Sequence, residues 1–285
     1  MLWRMKLGLK VLSGRVAGLR ALLRRLGAFR HGRMDSADYA TRVFRSHLGT
    51  ASGRGLCVEI GPGEALLTAL LARAAGFEKT LLVDSGAQLR GDLGPYRALA
   101  SRLRAEGLHA PDIAANASLE AVLRACAAEY HTDGLRALER LPAASVDFSF
   151  SHAVLEHIPR GEVEDFLRAL RRAAKPGSVS SHVIDLRDHL ARGRNHLRFS
   201  AARWESPAIR DSGVYTNRLL YPEWLALFAA AGFEAEISEV VEFPAPVVPA
   251  RLAPEFRHRD PADFRVASFK AVLRASNNDR ERPRK

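Results

Sequence analysis

Downstream of Gly53, short apolar runs alternate with longer segments whose apolar residues recur every three to four positions. This is the pattern of strand–helix–strand units stacked on a parallel sheet. The spacing predicts strands over residues 56–60, 80–83, 146–149 and 179–185, and helices over 65–75, 96–105, 119–129, 163–174 and 221–231. Gly76 and Gly232 suit helix C-termini. Pro222 falls in a first helical turn, where its missing N–H has no partner to lose, and Pro176 with Gly177 stops the helix before them. Residues 236–242 and 264–273 alternate as strands with only the proline-rich loop 244–261 between them, so they must pair antiparallel or diverge. The expected architecture is a Rossmann-like, doubly wound, mostly parallel α/β sheet of about seven strands, the last antiparallel, flanked by helices.

The first 34 residues follow a different pattern. Leu2, Met5, Leu9, Leu12, Val16, Leu19, Leu23 and Leu26 form one stripe of an amphipathic helix, and nine Lys or Arg with no acid accompany them. The charges interrupt every apolar run before it nears the ~20 residues of a membrane span, and Lys10 breaks a secretory core. Three readings stay open: a helix docked on the protein itself, a peripheral anchor on anionic lipid, or an organelle transit segment. The expected organisation is a basic amphipathic helix over 1–34, one catalytic domain over 35–276 and a disordered basic tail over 277–285.

Composition then narrows the partners. The 285 residues carry a net charge of +11, but residues 35–276 hold 30 bases and 30 acids, so the excess is terminal. A neutral body offers no basic stripe for nucleic acid. Cys57 and Cys126 form neither a disulfide framework nor a metal-ligand spacing, which fits a reducing, cytoplasmic setting with peripheral membrane contact as the alternative.

The chemistry concentrates where predicted strands end. The stretch VEIGPG at residues 58–63 carries a strand through Gly61 and Gly63 into a helix, and Asp84 closes the next strand about 20 residues later, where a carboxylate can accept both hydroxyls of a ribose. The third glycine of a dinucleotide fingerprint is missing, Leu66 standing in its place, which points to a nucleoside without phosphates. Glu59 lies inside an otherwise apolar strand, where a carboxylate is costly without a partner.

Together these motifs resemble the class I S-adenosylmethionine-dependent methyltransferases. VEIGPG at 58–63 resembles that family's first motif, LLVD at 81–84 its second, and TDGL at 132–135 with LPAASVDFSFSH at 141–152 its third and fourth; VLEHI at 154–158 and the segment 170–177 continue the pattern. Ala65 stands where the family often has a further glycine. The resemblance covers about residues 50–275 and implies S-adenosylmethionine as cofactor, with Glu59, Gly61 and Gly63 by its methionine part, Asp84 at the ribose, Asp133, Gly134 and Leu135 at the adenine, and Ser151 and His152 flooring the pocket.

Because the cofactor carries its own electrophile, the protein mainly aligns donor and acceptor, and a hydroxyl acceptor also needs a base. His152, His157, His182, Asp185, Asp188 and His189 fall near strand ends, with His152 and His189 as the candidate bases. The run SHVIDLRDH at 181–189 holds metal-ligand residue types, but a polar strand end that meets water explains it equally, and no metal is assigned. Residues 191–218 form a long connection of the kind used as a lid, with Arg198, Trp204, Tyr215 and Asn217 as candidate acceptor contacts. The expected reaction is methyl transfer to a small-molecule, sugar or lipid-linked acceptor, at oxygen. The rivals are a nicotinamide oxidoreductase and an inactive partner protein that keeps the fold.

Overall fold

The computed structural model describes Met5, Leu7, Gly8, Lys10 and residues 36–275 apart from Gln88, Arg90 and Pro246. The expected tail and most of the N-terminal stripe lie outside the described residues. Seven strands form one sheet: β1 (Leu56–Ile60), β2 (Lys79–Val83), β3 (Ala128–His131), β4 (Val146–His152), β5 (Ala174–Asp185), β6 (Phe233–Glu242) and β7 (Val266–Ala275), in the spatial order 3-2-1-4-5-7-6. β1 pairs in parallel with β2 and β4, which places the reversal of strand order, and the usual ligand crevice, at the carboxyl end of β1. β7 inserts between β5 and β6 and runs antiparallel to both, as the missing crossover helix requires.

Alternate residues of the central strands supply two cores. Cys57, Leu82, Phe148, Phe150 and Val179 face α1 (Ala37–Leu48), α2 (Thr68–Ala74), α3 (Gly94–Ala105) and α4 (Leu119–Ala125) through Phe44, Leu70, Leu99 and Val122. Val58, Ile60, Leu81, Val83 and Ile184 face α5 (Leu135–Glu139), α6 (Val163–Ala173) and α7 (Tyr221–Ala230) through Leu138, Phe166, Leu167 and Trp224. Both faces are thus dry, which is why the strands read as continuous apolar runs.

Several elements differ from the sequence pattern in their bounds, and one was not expected at all. The expected helix over 119–129 ends at Ala125; Ala127 takes a positive φ of 50° and turns the chain into β3, which gains its partner on β2. β5 begins at Ala174, five residues early, because Lys175 and Pro176 continue the strand past a register shift. Helix α1 was not expected; Ser36 caps it, its hydroxyl accepting from the Tyr39 N–H, and Ala40, Val43, Phe44 and His47 form its buried stripe.

Between β5 and α7, residues 186–220 fold over the strand ends. Leu190, Trp204, Ile209, Val214 and Tyr215 make a small core of their own, into which Leu7 packs, and Lys10 Nζ reaches the Gly213 carbonyl at 3.3 Å. No helix among the described residues is long and apolar enough to cross a membrane.

Candidate functional site

The turn after β1 sits at the crevice. Gly61 donates its N–H to the Val83 carbonyl at 2.8 Å and takes a φ of 71°; a Cβ there would lie 2.4 Å from Val154 Cγ2. Two constraints therefore demand glycine: the left-handed backbone and the close packing of the turn on the segment after β4. Asp84 follows β2 and is only 8% exposed. Burial raises its pKa, while the N–H groups of Ser85, Gly63 and Gly86 oppose that shift, Ser85 donating at 2.7 Å. The glycine turn and the second strand thus converge on one carboxylate.

The facing wall follows β3. Gly134 donates its N–H to the Asp84 carbonyl at 2.9 Å and adopts φ 55° and ψ −122°, which a side chain would disfavour. Asp133 makes a two-pronged pair with Arg140, one contact at 3.0 Å, and the guanidinium holds its carboxyl below the usual range. A cavity of about 800 Å³ opens between these walls; Ile60, Gly61, Val83, Asp84, Asp133, Gly134 and Leu135 line it, with Val154, Ile158 and Phe166 supplying an apolar side and Arg210, Asp211 and Tyr215 reaching in from residues 186–220. A slot with an apolar wall, two carboxylates and a glycine-paved edge suits a nucleoside.

Residues 58–181 match the family model described as a methyltransferase domain. The chain therefore contains a methyltransferase domain over these residues. Similar solved structures include the YcgJ protein from Bacillus subtilis, at 15% identity, with 83% of this chain and 99% of that chain covered and a TM-score of 0.47. A second is an S-adenosylmethionine-dependent methyltransferase from Mesorhizobium loti, at 18% identity, 84% and 100% coverage and a TM-score of 0.45. A third is phosphoethanolamine N-methyltransferase 2 of Haemonchus contortus with S-adenosyl-L-methionine, at 14% identity, 84% and 52% coverage and a TM-score of 0.45. No curated protein matches the chain.

The residues around the cavity fit S-adenosylmethionine, the cofactor that the motifs imply. Besides the lining described above, Glu59 lies at 3% exposure beneath the turn, with burial pushing its pKa to about 8; it bonds Thr68, and its Oε2 has no partner among the described residues. A buried carboxyl with spare acceptor capacity beside the glycine turn is a provision for a cationic group.

Of the residues singled out in the sequence, Gly61, Asp84, Asp133, Gly134, Leu135 and Tyr215 line the cavity, whereas Glu59, Gly63, Ser151, His152, His189, Arg198, Trp204 and Asn217 stand behind or beside it. Ser151 is buried on β4 with its hydroxyl 2.8 Å from His182 Nδ1. His152 ends β4, half-buried, with Nδ1 3.3 Å from His47 Nε2. His189 stacks on His157, ring centroids 4.9 Å apart and Nε2 atoms 3.1 Å apart, and it is His157 that lines the cavity, its Nδ1 donating to the Tyr215 carbonyl at 2.8 Å. Trp204 is fully buried and donates to the Thr216 carbonyl, Asn217 donates to the carbonyls of Leu155 and Ile158, and Arg198 bonds Asn195.

The polar run 181–189 is pulled apart by the strand alternation. His182 points into the sheet's core, Asp185 clamps Arg187, and Asp188 accepts from the N–H groups of Leu190, Ala191 and Asn195 at the start of the connection 186–220. Sequence reasoning did not single out Arg136, Glu139, Glu162, Phe166, Arg210 and Asp211, which also line the cavity. They sit along α5, at the start of α6 and between β5 and α7, where only the folded connections bring them to the strand ends.

Proposed function

We propose that this methyltransferase transfers a methyl group to a hydroxyl of a small-molecule, sugar or lipid-linked acceptor held under the lid. The observation that carries the reading is the charge of the cavity: Asp84, Asp133, Glu139, Glu162 and Asp211 against Arg136 and Arg210. That balance attracts a cationic nucleoside and repels a pyrophosphate, so it favours S-adenosylmethionine over a nicotinamide dinucleotide. The cofactor supplies an activated methyl on a sulfonium, and the protein's share is binding, alignment and exclusion of water.

In this reading Asp84 accepts from the ribose hydroxyls, Asp133, Gly134 and Leu135 frame the adenine, and Glu59, Gly61 and Gly63 serve the methionine end, with Ser151 and His152 as the floor. Tyr215 meets the acceptor from the lid, and Arg198, Trp204 and Asn217 hold the lid that carries it. Neither candidate base lines the cavity, and of the two His152 keeps a ring nitrogen in hand: its Nε2 has no partner among the described residues, whereas the Nε2 of His189 faces His157. Residues 1–34 would bring such an enzyme to an anionic membrane surface if its acceptor is lipid-linked.

Calorimetric titration tests the cofactor. S-adenosylmethionine and S-adenosylhomocysteine bind, NAD does not, and Asp84→Ala weakens both by at least tenfold; tight NAD binding without the other two would return the chain to the oxidoreductases. Transfer of labelled methyl from the cofactor into hydroxyl-bearing lipids, sugars and small molecules then identifies the acceptor. Label recovered only on nitrogen overturns the oxygen assignment, and binding without transfer to any class favours the inactive partner.

A further inference from the structure

On the sheet face covered by α1, a chain of polar groups runs from the core to the end of β4. Ser181, on β5, is fully buried and its hydroxyl lies 2.8 Å from His47 Nδ1. His47, also fully buried, is the last buried residue of α1, and its Nε2 lies 3.3 Å from His152 Nδ1. The surroundings are otherwise aromatic: the His47 ring lies 5.2 Å from that of Phe150, Phe44 packs on Phe150, and Tyr39 sets its ring edge-on to His152.

An apolar side chain would fill this place on α1 at lower cost, since a buried imidazole is tolerated only when both nitrogens find partners. Here both do. His47 stays neutral: burial first, then His152, Lys270 and His182, push its pKa down to about 2. Lys270 is held nearby by the Ser46 carbonyl at 2.6 Å and by Glu239 at 3.8 Å. A neutral imidazole offers one donor and one acceptor, so His47 links Ser181 to His152 with a single direction at a time.

We propose that His47 is a positioning residue, which through the chain Ser181–His47–His152 fixes the ring and tautomer of His152 and presents its Nε2 lone pair to the acceptor hydroxyl. The proposal rests on the reading of His152 as the base. In the direction a base needs, His152 Nδ1–H donates to His47 Nε2 and His47 Nδ1–H donates to the Ser181 oxygen. A proton leaving the acceptor hydroxyl for His152 Nε2 then makes an imidazolium whose Nδ1–H keeps its bond to His47, before the proton passes to water. The same logic of a third group orienting a base operates wherever a histidine must hold one tautomer.

The test is nitrogen-15 NMR of the histidine rings in the full chain, alone and with S-adenosylhomocysteine, the His152 signals being assigned by loss in His152→Gln. Neutral His152 is expected in the Nδ1-protonated form, against the preference of a free imidazole for Nε2–H. His47→Leu should let the Nε2-protonated form dominate while the calorimetric affinity for S-adenosylhomocysteine stays within threefold. His47→Gln, whose amide oxygen can replace Nε2 as acceptor, should restore the Nδ1-protonated form. Ser181→Ala removes one hydroxyl only and should mix the two tautomers, which keeps the test alive if His47→Leu does not fold. Nε2-protonated His152 in the unaltered chain, or an unchanged tautomer in His47→Leu or Ser181→Ala, overturns the proposal. Failure of S-adenosylhomocysteine to bind would remove the proposed function instead, and the tautomer measured on the chain alone still decides the role of His47.

Discussion

Burial acts on Glu59 and on the buried histidines His47 and His182 in opposite senses. Glu59 is raised from 4.5 to about 8, so the folded chain holds its proton more tightly than the unfolded one. The stability this contributes is fully present below pH 4.5 and is lost as pH rises through about 8, at up to about 1.4 kcal/mol per pH unit. His47 and His182 are lowered to about 2 and about 3, both chiefly by burial, so their contribution is present above pH 6.5 and is lost as pH falls. Glu59→Gln keeps the volume and the bond to Thr68 without the titration. Its stability relative to the unaltered chain should therefore improve by about 3 kcal/mol between pH 5 and pH 8, most of the full linkage, in the absence of ligand. Thermal denaturation across that range gives the answer, and curves that stay parallel would sink the idea.

At the scale of elements, the turn after β1 is where backbone and packing constrain each other most tightly. Gly61→Ala places a methyl in the left-handed region, at about 1–2 kcal/mol, and drives it into the stiff, β-branched Val154. Unfolding in urea should show a loss of at least about 2 kcal/mol, of which Val154→Ala in the same chain returns the steric part and not the backbone part. Equal losses in the single and double variants would mean that Val154 gives way freely. This turn was legible from its motif because strand, glycine and helix follow one another along the chain, and so was Asp84, the polar residue that follows an apolar run; Asp133, preceded by Glu129, Tyr130, His131 and Thr132, was legible only through the family resemblance. α1 was not. Its buried stripe is Ala40, Val43, Phe44 and His47, too short and too polar at its end to stand out, and it is made helical by a cap and by the sheet it covers. β3 was hidden for a related reason: Ala128 and Glu129 continue a helical spacing, and only the positive φ of Ala127 and the open edge of β2 turn them into a strand.

Across the whole molecule, the lid is fastened from two sides. From below, the segment after β4 holds it: Asn217 donates to the Leu155 and Ile158 carbonyls, its N–H reaches the Glu156 carbonyl at 2.7 Å, and the Arg160 N–H donates to the Tyr215 hydroxyl. Nothing in the sequence distinguishes Trp204, Tyr215 and Asn217 as acceptor contacts; the packing turns the first and last toward backbone carbonyls and leaves Tyr215 on the cavity. From above, Leu7 is 7% exposed among Leu190, Trp204, Ile209, Val214 and Tyr215, so the N-terminal segment packs here through a residue off the expected stripe, whose one described member, Met5, is exposed. Leu7→Asp would bury a carboxylate in that cluster or expel the segment from it, at a cost of order 2 kcal/mol paid locally rather than by the sheet. Amide hydrogen exchange should then quicken across residues 187–215, where Tyr215 and Arg210 close the cavity, while β1, β4 and β5 stay protected. Because the lid supplies part of the cavity wall, affinity for S-adenosylhomocysteine should fall several-fold in parallel. Unchanged exchange in 187–215 would show that the lid is held from below, by Asn217, His157 and Arg160, and Asn217→Ala, which strands two buried carbonyls, would then be the variant that frees it.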